Sequence, residues 1–381
     1  MWSREAVLLT ALAALGIMFG ITEVAVGFYH TKQTELAQMW FQKGSSALAS
    51  ERPQEAIGDF RNALSYDPDN SSYQLRLAQA LTAASRNVEA ESYLLDLWSR
   101  EPGSGEINLE LAQLEARSGS ADAARYFDNA IYGVWTSEPE QHRWQARMQL
   151  FQFYRSRGKS GQAQAELLAM AADTPRNDYQ RQTEIGQLQM ESNNPRQALQ
   201  QFRLALRVSP RYAPALAGAG QAEFDVGEYQ DALPYLESAV KLDPKDQQTV
   251  SLLKMTRLVI ENDPFQIGLD ERQRTERSLD AYLQALSSLT DCANKQGVAL
   301  DASGASPNAL QQTWALGQRQ LELMTHFRGQ PQTVLQLMNF VFSGEDLAAS
   351  ECGPLQGKDQ ALWLIGKKHQ LSVNNKGQGG A

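Results

Sequence analysis

The feature that most constrains this chain is a spacing of 34 residues between corresponding positions. A proline lies near the end of each repeated segment. Two adjoining segments of this length are 37–70 and 71–104, and the same arrangement occurs at 179–212 and 213–246. A fixed period of about 20 to 50 residues is typical of solenoids, in which each repeat is one supersecondary unit. One such unit cannot bury its apolar face alone, so the pattern predicts an all-α stack of helical pairs.

Small, aromatic and proline residues stand at set distances in the first segment. They are Trp40, Gly44, Ala47, Ala56, Phe60, Ala63 and Pro68. In this arrangement the chain resembles the tetratricopeptide repeat family, whose signature has the same residue types at these distances. The resemblance extends over six segments, 37–246, with an irregular stretch at 133–140. It implies a right-handed superhelix of about six repeats that binds protein partners in a concave groove, and no enzymatic activity.

Beyond the repeats the period stops, and smaller helical parts are predicted. The segment 247–263 is expected to be a capping helix, because an exposed terminal repeat would leave an apolar face in water. Helical patterns predict a small helical C-terminal domain over 264–371, and residues 372–381, rich in Asn, Gly and Gln, are expected to be disordered. The candidate core residues of that domain are Leu321, Met324, Phe327, Leu335, Met338, Phe340, Val341, Leu362, Trp363 and Ile365.

The N-terminal segment 1–36 contains an apolar run, 6–28, in which Glu23 is the one charged residue. At about 1.5 Å per residue the run is long enough to cross a hydrocarbon layer of roughly 30 Å. It predicts a single-pass N-terminal transmembrane helix, as in a membrane-anchored bacterial protein with its bulk in the periplasm or otherwise extracytoplasmic. A cleaved signal peptide is the alternative. Gly16, Gly20 and Glu23 fall on one side of this helix and are candidates for contact with another membrane helix, although G-x-x-x-G is common by chance.

Charge and motifs argue against several functions. A formal net charge of −9 disfavours nucleic acid as a partner, because phosphate backbones require clustered Lys and Arg. No histidine stands in an H-x-x-x-H pair and no Gly-rich phosphate loop occurs, so no metal, cofactor or catalytic site is predicted. An enzyme with Cys352 as nucleophile and His369 or His326 as base in the C-terminal domain is the weakest alternative. Glu345 and Asp346 are expected to be solvated helix-end residues.

The two cysteines, Cys292 and Cys352, form either one disulfide or two buried free thiols. Neither belongs to a C-x-x-C pair, so the ligand spacing of a zinc ribbon is absent. A bridge between them would close a loop of about 60 residues and add roughly 4 kcal/mol to the free energy of unfolding, on the chain-entropy estimate.

One residue type recurs at the ninth position of five consecutive segments. This row consists of Gln79, Gln113, Gln152, Gln187 and Gln221. Four residues earlier, one helical turn away, a second and mostly apolar row includes Phe41, Leu75, Leu109 and Met148. In the family that the chain resembles, the first helix of each pair lines the groove. The two rows are therefore predicted to bind an apolar, extended or helical segment of a partner, with the glutamine amides pairing with its backbone. The alternative is that glutamine is a tolerated polar filler.

Together these features predict a scaffold that binds protein partners. The first alternative is a periplasmic chaperone-like accessory of a translocon, secretion or envelope-assembly complex. The family's carboxylate clamp, which holds an acidic peptide C-terminus with Lys, Asn and Arg, is not reproduced, and Arg155 is the one cation expected in the groove. The sequence indicates neither the identity of the partner nor the oligomeric state.

Overall fold

The architecture is that of a computed structural model, which describes residues 4–300, 308–324 and 331–378. This part of the chain forms α-helices and no β-strand. The helices are α1 (Arg4–Ala49), α2 (Pro53–Tyr66), α3 (Ser71–Ala83), α4 (Asn87–Arg100), α5 (Gly105–Ser118), α6 (Ala123–Tyr132), α7 (Pro139–Ser156), α8 (Ser160–Asp173), α9 (Tyr179–Glu191), α10 (Pro195–Val208), α11 (Ala213–Asp225), α12 (Tyr229–Leu242), α13 (Gln247–Asn262), α14 (Glu271–Gln296), α15 (Ala309–Met324), α16 (Pro331–Cys352) and α17 (Gly357–Gln378). The predicted all-α array of helical pairs is confirmed, with α1–α12 forming six pairs.

Prolines end the repeats because their rings cannot continue a helix, and a capping residue then starts the next one. Asn70 follows Pro68 by two residues, and its side chain accepts a hydrogen bond from the backbone N–H of Tyr73 at 3.2 Å. Ser104 follows Pro102 in the same way and caps α5. Short closing loops of this kind explain why the period is visible in the sequence.

The turn inside each repeat passes through one residue with a left-handed backbone. The positions are Glu51, Ser85, Gly119, Gly158, Asn193 and Gly227, with φ between 57° and 85°. Their spacing along the chain is the spacing of the glutamine row, and each glutamine of that row stands six residues before one of them. The five glutamines therefore occupy equivalent places near the ends of five first helices.

The chain divides into two compact units, Met1–Met170 and Ala171–Ala381. In the first unit, α1–α7 enclose a core in which Phe60, Leu77 and Leu111 are fully buried. In the second, Phe202 of α10 is buried between α9 and α11, and a Cβ added at Gly186 would lie 2.6 Å from its ring. The large aromatic residue thus requires the small residue opposite it, which is the physical basis of the repeat signature.

Helices α14–α17 form a second core within the second unit. Most of the predicted core residues are there: Met338, Phe340, Val341, Leu362 and Ile365 are buried, and Leu321 packs against them. Leu335 is an exception, because 44% of its surface is exposed. Phe327 and the side chain of Met324 lie outside the described part of the chain, and Trp363 is partly buried.

The predicted capping helix is α13, and it is covered by α17. The rings of Phe265 and His369 stack with their centroids 4.7 Å apart, and Lys368 Nζ lies 3.7 Å from a carboxylate oxygen of Glu228. Helix α17 continues to Gln378, well into the segment expected to be disordered, and 379–381 lie outside the described residues.

A disulfide bond joins Cys292, near the end of α14, to Cys352, the last residue of α16. The two Cα atoms are 5.7 Å apart. In this state Cys352 carries no free thiol, so it cannot act as the nucleophile of the enzymatic alternative.

The prediction of a membrane-anchored, extracytoplasmic chain is wrong. Within the described residues, no helix combines the length and the apolar character needed to span a bilayer. Among the described residues, nothing lies within 4 Å of a Cβ added at Gly16 or Gly20, and Glu23 is exposed, so this part of the chain does not itself make the helix contact predicted for that face.

Candidate functional site

A cavity of about 490 Å³ opens on the first helices of the first unit. We call it the first groove. It is lined by Phe41 of α1, by Ser72, Leu75, Arg76 and Gln79 of α3, by Glu106, Leu109, Glu110 and Gln113 of α5, and by Trp135, Thr136, Ser137, His142 and Gln145. Five residues of the two predicted rows therefore meet in one place.

The apolar row supplies one wall of the first groove. The ring of Phe41 packs against Tyr73 with the centroids 4.8 Å apart, and against Phe60 at 5.8 Å. Leu75 is partly buried and Leu109 is 7% exposed. Their exposed edges offer an apolar surface that is already held in position by the core behind it.

The glutamines of the row differ in the hydrogen bonds that their side chains make. Gln79 is held in a chain of hydrogen bonds, in which Arg76 Nη1 donates to its Oε1 at 2.9 Å and its Nε2 donates to Glu110 Oε1 at 2.8 Å. Gln113 makes no side-chain hydrogen bond within the described residues. Its amide is therefore available to a ligand, whereas that of Gln79 orients its neighbours.

The far edge of the first groove comes from the irregular segment between α6 and α7. Val134 and Ser104 form an isolated parallel bridge, with Gly105 N–H donating to Val134 O at 2.8 Å. The indole of Trp135 then lies directly over Gly105, where a Cβ would be 2.3 Å from the ring, and it stacks on His142 at 4.6 Å. Glycine is the one residue that lets the segment fold back this closely.

Two carboxylates of α5 line the first groove. Burial raises the pKa of Glu110, while the hydrogen bond from Gln79 and the positive charges of Arg117 and Arg76 lower it in part. Glu106 Oε1 accepts a hydrogen bond from Thr136 Oγ1 at 2.6 Å. Neither carboxylate forms an ion pair with a Lys or Arg in the described part of the chain.

The second unit has a cavity of about 530 Å³, which we call the second groove. It is lined by Gln187, Met190 and Glu191 of α9, by Phe202, by Ala213, Pro214, Ala217, Gly218 and Gln221 of α11, and by Ala239, Asp243, Asp246, Gln248 and Thr249. Two glutamines of the predicted row belong to it. Gln187 makes no side-chain hydrogen bond within the described residues, and Gln221 Oε1 accepts from Gln248 Nε2 at 3.4 Å.

Three predicted groove residues lie elsewhere. Gln152 is exposed and Met148 is partly buried on α7, and neither lines a groove. Arg155, the expected groove cation, is also on α7 and stacks over the Phe151 ring at 5.8 Å. The cation in the first groove is Arg76 instead.

Several residues of the first groove were not predicted, although the spacing of two of them was visible in the sequence. Arg76 and Glu110 stand three residues before Gln79 and Gln113, on the same helical face, and could have been read as a third row. Trp135 and Thr136 carried no comparable signal, because their place depends on the bridge to Ser104.

Comparison with known families agrees with this geometry. A tetratricopeptide repeat model matches residues 41–99 and 183–247, which contain parts of both grooves. The chain contains tetratricopeptide repeats. Such repeats form scaffolds for protein interaction, and this general role applies here. No curated protein matches the sequence significantly.

Several solved structures are similar to part of this chain. PilW, a widely conserved type IV pilus biogenesis factor, is 20% identical with a TM-score of 0.39, covering 57% of this chain and 98% of its own. YrrB, described as having an unusual peptide-binding site, is 15% identical with a TM-score of 0.37, covering 50% and 96%. PilF of Pseudomonas aeruginosa is 13% identical with a TM-score of 0.29, covering 66% and 93%. Similarities at this level do not extend to function.

Proposed function

We propose that this tetratricopeptide repeat protein is a scaffold that holds extended segments of partner proteins in its two grooves. The observation that carries the proposal is the convergence of Phe41, Leu75, Leu109, Gln79 and Gln113 on the first groove. An apolar wall with a few polar groups at fixed positions is the usual composition of a ligand site.

The chemistry of the grooves suits a peptide backbone. An extended segment presents a carbonyl and an N–H at each residue, and a glutamine amide can donate to one and accept from the other. Gln113 and Gln187 have no side-chain partner within the described residues, so binding a backbone would break no hydrogen bond that they already make. The apolar wall would bury the partner's side chains.

We expect the double variant Gln113→Ala, Gln187→Ala to weaken peptide binding while the helix content stays unchanged. The probe is a peptide selected on the wild-type protein from a phage library of random 15-residue sequences, with affinity measured by fluorescence anisotropy. Loss of two neutral hydrogen bonds corresponds to roughly a five- to fiftyfold rise in Kd.

The matched control is Gln54→Ala, Gln162→Ala. Both residues are exposed on second helices, α2 and α8, and neither makes a side-chain hydrogen bond in the described part of the chain. The control is expected to bind the peptide like the wild type. If no peptide is selected, or if the groove variant and the control bind equally well, the proposal is wrong.

A further inference from the structure

The disulfide bond lines a cavity of about 230 Å³ in the second unit, which we call the disulfide cavity. Besides Cys292 and Cys352, it is bounded by Asp291 and Lys295 of α14, by Asp359 of α17, and by the linker 353–356 between α16 and α17. One water molecule needs about 10 to 15 Å³ of such space. The cavity can therefore hold a molecule of several non-hydrogen atoms next to the disulfide.

The two cysteines of the bond differ in exposure. Cys292 is 2% exposed and belongs to the core formed by α14, α16 and α17. Cys352, the last residue of α16, is partly exposed. In thiol–disulfide exchange a thiolate attacks one of the two sulfur atoms, and access helps to decide which one is attacked. Cys352 is thus the accessible end of the bond, and Cys292 is the buried one.

Contacts other than the disulfide also hold α14 to both ends of the linker. Gln296 Nε2 donates to Glu351 O at 3.0 Å, just before the linker, and Gln284 Nε2 donates to Asp359 Oδ1 at 2.7 Å, just after it. Buried apolar side chains of α14, α16 and α17 form one core around these contacts. They would keep Cys352 close to Cys292 while the covalent bond is open, so the bond could form again.

Carboxylates outnumber cations in the disulfide cavity. Asp291 and Asp359 contribute two carboxylates, and Lys295 contributes one cation. The two carboxylates interact, since the negative charge of Asp291 adds to the rise in the pKa of Asp359 that burial causes. A cationic molecule that enters the cavity would be attracted and an anionic one repelled, both more weakly as the salt concentration rises.

We propose that the Cys292–Cys352 bond is a site of thiol exchange, at which a small thiol enters the disulfide cavity and modifies Cys352. The thiolate sulfur attacks Cys352 Sγ and forms a new S–S bond, while the Cys292–Cys352 bond breaks. The electron pair of the broken bond remains on Cys292 Sγ, which takes up a proton from water. The products are a mixed disulfide at Cys352 and a free thiol at Cys292. The reverse reaction restores the original bond and releases the small thiol.

The test treats the full-length, oxidised protein with cysteamine at neutral pH and without denaturant. A denaturing acid quench with N-ethylmaleimide blocks free thiols, and mass spectrometry of peptides identifies the cysteine that carries cysteamine. We expect cysteamine on Cys352 and N-ethylmaleimide on Cys292, in at least about tenfold excess over the reverse. Equal modification of the two cysteines, cysteamine mainly on Cys292, or a product that forms only in urea would overturn the proposal.

A second measurement tests entry through the disulfide cavity. The rate of exchange with cysteamine, a cation, is divided by the rate with 3-mercaptopropionate, an anion, at low salt. Comparing this ratio between protein variants removes the intrinsic difference between the two thiols. We expect Asp291→Asn to lower the ratio about two- to fivefold, because one negative charge of the cavity is removed. High salt should reduce the effect.

The matched control is Glu271→Gln, which removes an exposed charge at the other end of α14. It should leave the ratio as in the wild type. A ratio that is the same in Asp291→Asn, in the control and in the wild type would show that the thiol does not enter through the cavity, and the proposal would be wrong. No peptide takes part in these measurements, so the proposal can fail or succeed independently of the proposed function.

Discussion

The variant Glu345→Gln is expected to raise the free energy of unfolding at neutral and alkaline pH. Glu345 lies on α16, its side chain is 0% exposed, and Ser288 Oγ donates to its Oε2 at 3.3 Å. Its Oε1 has no hydrogen-bond partner among the residues that the structure describes. Burial, together with the negative charge of Asp359, raises the pKa of Glu345 to about 8. Glutamine has nearly the same shape without the ionisable proton.

The pH dependence follows from this shift. Between pH 4.5 and about 8 the folded chain keeps the proton on Glu345 while the unfolded chain has lost it, so stability falls as pH rises through this window and stays low above it. At about 1.4 kcal/mol for each pKa unit, the whole loss is at most about 5 kcal/mol. In Glu345→Gln this part of the pH dependence should be absent.

The measurement is urea denaturation from about pH 4 to pH 9, with Glu351→Gln as control. Glu351 is an exposed glutamate on the same helix. The control should show the wild-type pH profile, because it replaces an exposed side chain and leaves the buried Glu345 in place. An unchanged profile in Glu345→Gln would mean that this residue does not set the pH dependence.

Loss of the disulfide is expected to lower the free energy of unfolding of the second unit by about 4 kcal/mol, the chain-entropy value for a loop of this length. The bond joins residues 60 apart in sequence. It connects α14 to α16, whose buried residues form one core with those of α17. The test compares Cys292→Ser, Cys352→Ser with the wild type, oxidised and reduced, by urea denaturation.

The double variant and the reduced wild type should agree, since both lack the cross-link. Neither should alter the unfolding of α1–α7, which belong to the other compact unit. A double variant as stable as the oxidised wild type would contradict the stabilising role of the bond.

The sequence predicted the repeats well because local rules determine them. A closing proline, a capping residue and a small residue opposite an aromatic one recur within each segment, so their spacing shows both the helices and their pairing. The glutamine row follows the same register, and the left-handed turns have the same spacing as the glutamines. Four of its five members line a groove.

Features that depend on distant contacts were not predictable in the same way. Trp135 reaches the first groove because Val134 bridges to Ser104, thirty residues earlier in the chain. Glu345 was expected to be solvated, yet it continues the apolar face that contains Met338 and Val341. A charged residue on such a face was a signal in the sequence, and its burial required α14 to pack against it.

Photo-crosslinking tests the central claim most directly. A benzophenone placed in the middle of the selected peptide reacts with the part of the protein that it touches, and mass spectrometry identifies the site. We expect the crosslinks at residues that line the first or the second groove, such as Leu75, Gln113 or Gln221. Crosslinks on second helices such as α4 or α8, or in α14–α17, would contradict the claim that the grooves bind the partner.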